Sequence, residues 1–445
     1  MKILFISLGC DKNLADSEEM LGLLTGNGHE IVDSEEEADA IVVNTCCFIH
    51  DAKEESVNTI LEMAEYKKTG TCKILIVTGC MAQRYKEEIT EEIPEVDAVL
   101  GTTSYGDIVK ALNEAEAGHV FQEFKDINAL PEDSGRRVIT TGGHYGYLKI
   151  AEGCDKHCTY CIIPSLRGKF RSVPEERLLK QAEYMASQGV RELILVAQET
   201  TVYGTDLYGK KTLHILLKKL CQIKGIRWIR VLYCYPEEIY DELIQVMKEE
   251  KKICHYLDLP IQHASDRILK RMGRRTSKAQ LVEIITKLRR EIPDIVLRTS
   301  LITGFPGETE EDHQELMEFV DEMEFDRLGV FTYSPEEGTP AETMEGQVPE
   351  ELKEERRDEI MELQQEISLE KGNDRIGQEL LVMIEGKVSG ESAYIGRTYG
   401  DAPKVDGYMF VQTGELLVTG DFAKVKVTGA MEYDLIGELA NEYTE

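Results

Sequence analysis

Eight residues, Cys154-Asp155-Lys156-His157-Cys158-Thr159-Tyr160-Cys161, put three thiols at C-x3-C-x2-C spacing into one tight loop. An apolar run, Tyr147–Ala151, leads straight into it. Three soft donors at that density ask for a soft metal, either zinc or an iron–sulfur cluster. A structural zinc closes its shell with four ligands, and no fourth Cys or well-spaced His follows locally. A cubane cluster held by three cysteines leaves one iron without a protein ligand, and an open metal position is where chemistry takes place. A zinc knuckle or buried structural thiols are the plainer alternatives. The spacing and a second cysteine set favour the cluster.

That second set lies in the first third of the chain. From residue 1 to about 125, apolar runs (Ile3–Ser7, Ala40–Asn44, Ile74–Thr78, Ala98–Leu100) alternate with helical stretches such as Leu14–Leu24 and Ala52–Tyr66. Short buried strands between amphipathic helices predict a parallel sheet in an α/β domain. Cys10, Cys46 and Cys80 each fall within a few residues of a strand's end. Those ends share one edge of a parallel sheet, where ligands bind, so the three thiols can converge despite their separation in sequence. Glycines precede Cys10 and Cys80, allowing the backbone to approach something bulky. The alternative is three buried small hydrophobes. Cys47 adjoins Cys46, and the two side chains should point apart. Cys72, Cys221, Cys234 and Cys254 lack such spacing and read as structural.

Residues from about 140 to 345 repeat the alternation, with strand candidates at Tyr147–Ala151, Glu192–Ala197, Ile226–Leu232, His255–Leu259, Val296–Thr303 and Arg327–Thr332. Six such units predict a partial (β/α)6 barrel, open on one side, with function at the strands' carboxyl ends. There stand Cys154–Cys161, Gln198-Glu199, Tyr233, Gln262-His263, Gly304-Phe305-Pro306-Gly307-Glu308 and Tyr333. The Gly304–Glu308 turn suits either a nucleoside pocket or an ordinary helix start. Arg298, a charge within an apolar strand, needs a partner; a cofactor carboxylate and a structural ion pair are both open. His263 reads as a satisfied histidine rather than a general base, and Lys270–Arg275 as a solvated helix end that could also clamp phosphate. Residues 346–372 read as a charged amphipathic helix on the barrel. From Ile376 onward, short β-like runs (Leu380–Ile384, Tyr408–Val411, Leu416–Val418, Ala423–Val427) punctuated by Gly predict a small antiparallel β-barrel.

The cysteine spacing, with Tyr160 before the last thiol, resembles the motif of the radical S-adenosylmethionine superfamily. There the open iron chelates S-adenosylmethionine, and the reduced cluster cleaves it to a 5′-deoxyadenosyl radical able to take hydrogen from an unactivated carbon, work that acid–base groups cannot do. Over essentially its whole length the chain resembles the methylthiotransferases within that superfamily. Ser7-Leu8-Gly9-Cys10-Asp11-Lys12-Asn13, Asp16-Ser17-Glu18, Leu259–Ser265, Gly396–Tyr399, Asp401-Ala402-Pro403 and Val405-Asp406-Gly407 carry the resemblance. They look like the branch that modifies a ribosomal protein; the transfer-RNA branch, the alternative, typically has Gln-Met-Asn after the first cysteine.

The resemblance implies three domains: an auxiliary-cluster domain at 1–125, a radical S-adenosylmethionine partial barrel with connecting helix at 140–372, and a TRAM-like β domain at 376–441. It implies two [4Fe–4S] clusters, one on Cys154, Cys158 and Cys161 and an auxiliary one on Cys10, Cys46 and Cys80 whose open iron carries the sulfur to be transferred. S-adenosylmethionine would border Tyr160, Gln198, Glu199, Arg298, Gly304 and Gly307. One S-adenosylmethionine methylates the sulfur and another supplies the radical. The implied substrate is small-subunit ribosomal protein twelve, modified at the β-carbon of an aspartate, with flavodoxin or ferredoxin as reductant.

Charge bears on that choice. The chain carries 83 acidic against 51 basic residues, net −32, which argues against broad nucleic-acid binding. Residues 372–445 hold 13 acidic and 6 basic side chains, net −7, the wrong sign for a phosphate-binding module and the right one for a basic protein. The opening Met1–Cys10 superficially resembles a lipoprotein signal, yet its apolar run is too short and Asp11-Lys12-Asn13 follow at once. It reads as a first strand. No apolar run approaches the ~18 residues of a membrane span. A cytoplasmic monomer with reduced cysteines is the expectation.

Overall fold

The computed structural model describes residues 1–132 and 135–440. Six strands open the chain: β1 (Lys2–Ser7), β2 (Glu30–Val32), β3 (Ala40–Thr45), β4 (Ile74–Gly79), β5 (Ala98–Leu100) and β6 (Phe121–Glu123). They form a parallel sheet in the order β2-β1-β3-β4-β5-β6. β3 and β4 are buried at every residue, which is why they read as unbroken apolar runs. Helices α1 (Asp11–Gly26), α2 (His50–Thr69), α3 (Cys80–Tyr85), α4 (Glu87–Glu92) and α5 (Ile108–Glu116) connect them, leaving separate apolar layers on the two faces. β2 and β6 are short and polar, and nothing in their composition announced them.

β7 (Tyr145–Lys149) begins a second sheet. A two-residue hairpin, β8 (Ala151–Glu152) with β9 (Arg171–Ser172), then brackets the cysteine loop and the short helix α6 (Ile163–Arg167). β10 (Glu192–Val196), β11 (Trp228–Val231), β12 (Ile253–Asp258), β13 (Val296–Thr303) and β14 (Arg327–Thr332) complete a parallel, unclosed wall in the order β14-β13-β12-β11-β10-β7. This is the expected open partial barrel. The helix Glu350–Asn373 packs on the outside of β13 and β14 through Ile360, Leu363 and Ile367.

Five more strands, β15 (Glu379–Lys387), β16 (Ala393–Arg397), β17 (Met409–Gln412), β18 (Phe422–Ala430) and β19 (Leu435–Leu439), close into a small barrel. Its pairs are antiparallel except β17 with β19, which run parallel. Leu416–Val418, expected as a strand, is a loop. Leu417 alone turns inward, while Leu416 is 81% exposed. Residue 441, the expected last residue of this domain, lies outside the described residues.

The small barrel seals the amino end of the large one. Met383, Ala402 and Phe422 join Tyr145, Ile194, Trp228 and Tyr256 in one apolar layer, with Trp228 edge-on to Phe422 at 4.8 Å between centroids. Buried beside them, Glu192 accepts from Arg230 Nε at 2.8 Å and Arg397 Nη2 at 2.7 Å. The first sheet meets the large barrel from the side: Leu14 of α1 packs into the same layer, and α3 meets α6.

Candidate active site

Cys10 caps α1 behind β1, Cys46 follows β3, and Cys80 opens α3 behind β4. The three strands are neighbours, and between β1 and β3 the strand order reverses, which opens the crevice where such sheets bind ligands. Asn13 fastens the edge: its Nδ2 donates to Leu8 O at 3.1 Å and Thr45 O at 2.8 Å. The Cys46 peptide is clamped by Ser56, which receives its N–H at 3.0 Å and donates to its carbonyl at 2.7 Å. The glycines make room for close neighbours on the adjoining strand and at its end. A side chain on Gly9 would stand 2.6 Å from Cys46 Cβ, and one on Gly79 would stand 2.5 Å from Thr45 O. Burial, then the charge of Cys80 and Cys10, pushes the Cys46 thiol up to about 12. Cys80 is raised by burial against the pull of Arg167. Buried thiols that resist ionising beside one another suit a metal, which supplies the positive charge they lack.

The second set is held just as closely. Cys154 N–H donates to Gly168 O at 3.1 Å, and Thr159 N–H to Met272 O at 2.9 Å, so the loop is tied both to the end of α6 and to the segment behind β12. Cys158 Sγ lies 3.7 Å from the Tyr235 hydroxyl. Burial raises Cys154 to about 11 and Cys161 to about 12. Beside this loop Glu199, 1% exposed, accepts from Thr201 N–H at 3.0 Å through Oε1, while its Oε2 and the Oε1 of Gln198 have no hydrogen-bond partner. Burial lifts the Glu199 carboxyl to about 7. Orphaned acceptors beside three thiols fit a cluster that binds a further polar ligand. No three His, Cys, Asp or Glu side chains among the described residues are grouped to hold one metal ion; a cubane cluster takes each thiolate on a separate iron.

One arginine joins the two sets. Arg167, 2% exposed at the end of α6, donates from Nε to Cys80 Sγ at 3.4 Å, from Nη1 to Asp16 at 2.7 Å and Glu152 at 3.3 Å, and from Nη2 to Asn13 Oδ1. Glu152 precedes Cys154 by two residues and accepts from Gln198 Nε2 at 3.0 Å. Lys149 pairs with Asp16 and Glu152. A continuous buried polar cluster therefore runs from the first thiol set to the residues flanking the second.

Comparison with known proteins agrees along the whole chain. Residues 2–101 match the uncharacterized protein family UPF0004, residues 148–320 the radical SAM superfamily, and residues 376–440 the TRAM domain. The ribosomal protein uS12 methylthiotransferase RimO of Lachnoclostridium phytofermentans is 65% identical over 437 residues, 98% of this chain and 99% of that one. The chain belongs to the RimO-type methylthiotransferases. The protein of the same name from Clostridioides difficile is 50% identical over 442 residues, 99% of each chain. Among solved structures, the radical S-adenosylmethionine methyltransferase TsrM from Kitasatospora setae, with cobalamin and a [4Fe–4S] cluster bound, superposes at a TM-score of 0.56 with 13% identity over 77% of both chains. The cobalamin-dependent S-adenosylmethionine radical enzyme OxsB reaches 0.51 with 15% identity, over 82% of this chain and 56% of that one. These two show a shared fold. The protein is thus a radical S-adenosylmethionine methylthiotransferase, from a superfamily that uses a [4Fe–4S] cluster with S-adenosylmethionine.

Three residues expected to border the cofactor have close protein partners. Arg298 donates to Asp258 at 2.8 Å and pairs with Asp406 at 3.3 Å, so it ties barrel to small barrel. The space beside Gly304 is filled by the Lys353 stem, whose Cβ and Cδ would lie 2.9 and 3.0 Å from an added side chain. Gly307 faces the Arg271 guanidinium and Gly346. Both glycines are closely packed by these neighbours. Tyr160 stands edge-on to Phe305 at 6.3 Å, Gln198 donates to Glu152, and Glu199 Oε2 lies 4.0 Å from Lys156 Nζ in the cysteine loop. Cys47 is sealed in the core of the first sheet. Sequence reasoning missed Asn13, Asp16, Glu152 and Arg167. Only the quoted Asn13 and Asp16 motif hinted at them, since nothing in a sequence marks an arginine as buried.

Proposed function

We propose that the protein adds a methylthio group to the β-carbon of an aspartate in ribosomal protein uS12, with a [4Fe–4S] cluster on Cys154, Cys158 and Cys161 and an auxiliary one on Cys10, Cys46 and Cys80. The observation that carries this reading is the pair of cysteine triads joined through Arg167, Asp16 and Glu152, in a chain whose full-length relatives bear the uS12 methylthiotransferase name. When bound, the clusters and S-adenosylmethionine supply the radical that opens an unactivated C–H bond and the sulfur that replaces the hydrogen. The protein's own residues then bind, orient and exclude water. Gln198 Oε1 has no hydrogen-bond partner and Glu199 Oε2 meets only Lys156 Nζ at 4.0 Å, so both would be placed to accept from the cofactor's amino group. The Cys154 loop, pinned at Gly168 and Met272, would hold a cluster on its three thiols in a fixed place. Arg167 keeps the two thiol sets in register, and close positioning is most of what such an enzyme contributes.

The division into 1–125, 140–372 and 376 onward belongs to this proposal, as do a cytoplasmic monomer and a flavodoxin or ferredoxin donor. No helix among the described residues is long and apolar enough to cross a membrane. The acidic surface, net −32, favours encounter with a basic ribosomal protein. Anaerobic reconstitution with S-adenosylmethionine, reductant and a peptide carrying the uS12 loop tests it. Mass spectrometry should find one methylthio group on the aspartate. Transfer RNA modified while the peptide stays unmodified would overturn the substrate.

A further inference from the structure

Lys12 is a cation of a different kind from the others at this junction. Arg167, Lys149 and Arg298 each have a carboxylate, as does Arg137, which meets Glu18 at 2.6 Å. Lys12 is 7% exposed, and among the described residues no carboxylate lies within the 4.0 Å of an ion pair from its Nζ. Its ammonium instead sits 3.2 Å from the centroid of the Tyr233 ring. A cation–π contact offsets only part of the cost of taking an ammonium out of water, so such a group persists best where an anion will join it.

Its position says which anion. Lys12 lies two residues past Cys10 on the first turn of α1, and Tyr233 stands just behind the carboxyl end of β11, packed against the apolar layer inside the barrel. Tyr233 holds a left-handed backbone, φ 58, which costs a tyrosine free energy and persists only where surroundings impose it. Those surroundings are Asp258, which accepts the Tyr233 N–H at 3.0 Å, and Thr200, whose N–H donates to the Tyr233 carbonyl at 3.1 Å. The barrel thus strains its own backbone to present an aromatic face beneath a lysine delivered by the other domain. Burial works against the Lys12 ammonium, while Tyr233, Cys10 and the adjacent Asp11 together raise its pKa.

We infer that Lys12 receives the side-chain carboxylate of the target aspartate and so selects an acidic residue in the protein substrate. This rests on the reading above and deepens it: an ammonium two residues from Cys10 and over the Tyr233 ring would hold the carboxylate so that the neighbouring β-carbon lies between the two cysteine triads. The same chemistry is offered by the carboxylate of S-adenosylmethionine, and the test separates the two.

The affinity of the reconstituted protein is measured by fluorescence anisotropy for two labelled uS12-loop peptides, one with the target aspartate and one with asparagine there. A charged hydrogen bond is worth about 1.5–3 kcal/mol, so the wild type should prefer the aspartate peptide by roughly 10- to 100-fold at 1.4 kcal/mol per decade. Lys12→Gln should bring that ratio to about one, and Lys12→Arg should keep most of it. A wild type without preference overturns the inference whatever the variants do. So does Lys12→Gln that keeps the wild-type ratio, or that weakens S-adenosylmethionine binding while the ratio stands. Failure to modify the aspartate peptide at all would instead strike the proposed function.

Discussion

Gly79→Ala should loosen the thiol-bearing edge of the first sheet without touching a thiol. Gly79 has φ +95, and an added methyl would meet Asn44 Oδ1, with Thr45 O at 2.5 Å and Thr45 N at 2.8 Å. The listless alternative, that the neighbour simply retreats, is closed off, because β3 is hydrogen-bonded to β1 on one side and β4 on the other. With ψ −156 as well, this backbone lies in a region essentially reserved for glycine and costs an alanine about 1–3 kcal/mol, and forcing a methyl into a packed site costs about 1–3 more. The sum, roughly 2–6 kcal/mol, should speed amide hydrogen exchange in β3 and β4 by about 30- to 20,000-fold where exchange reports local opening. Gly118 is the control: φ +82, with nothing within 4 Å of an added methyl. Gly118→Ala should pay only the backbone part, about 5- to 30-fold at the end of α5. Equal effects at the two glycines would refute the steric reasoning, as would an iron count in Gly79→Ala that matches the wild type alongside unchanged exchange.

Cys46→Ala should halve the iron of the reconstituted protein, whereas Cys47→Ala should leave it intact and cost only the ~1–2 kcal/mol of a small core cavity; iron and acid-labile sulfide assays check both. Arg167→Met leaves Asp16 and Glu152 buried with only Lys149 and should destabilise by about 3–5 kcal/mol, read as earlier chemical unfolding of the first sheet. Burial would raise the Glu192 carboxyl, but Arg397 and Arg230 reverse that and hold it below the ordinary range. Its stabilisation is therefore complete above the unfolded value of about 4.3 and is lost as pH falls below it. Glu192→Gln should unfold earlier at neutral pH and lose less stability on acidification than the wild type, measured by near-ultraviolet circular dichroism.

What the sequence disclosed follows from burial. β3, β4 and β13 are apolar runs with fixed ends, so Ala40, Ile74 and Val296 were legible as strand starts. β2, β6, β16 and β19 are short or interrupted by Gly and Glu, and only their neighbours make them strands. Cysteine spacing disclosed both thiol sets, because ligand chemistry restricts residue type. The bridge between them was hidden. Arg167 and Glu152 lie in segments with no periodic pattern, and their meeting with Asp16 across about 150 positions depends on how the two sheets dock. Gly304 shows the same limit: a glycine reports that something is close, and the Lys353 stem is what stands there.

The plug of Met383, Ala402 and Phe422 under Trp228 and Tyr256 has a consequence for how this chain can be shortened. A gene product ending before residue 376 would be left with a hollow base, its aromatic lining wetted and Glu192 robbed of one of its two guanidinium partners. The tail is therefore a keystone as much as a handle. Grafting it from a distant relative would demand matched changes in the floor it closes.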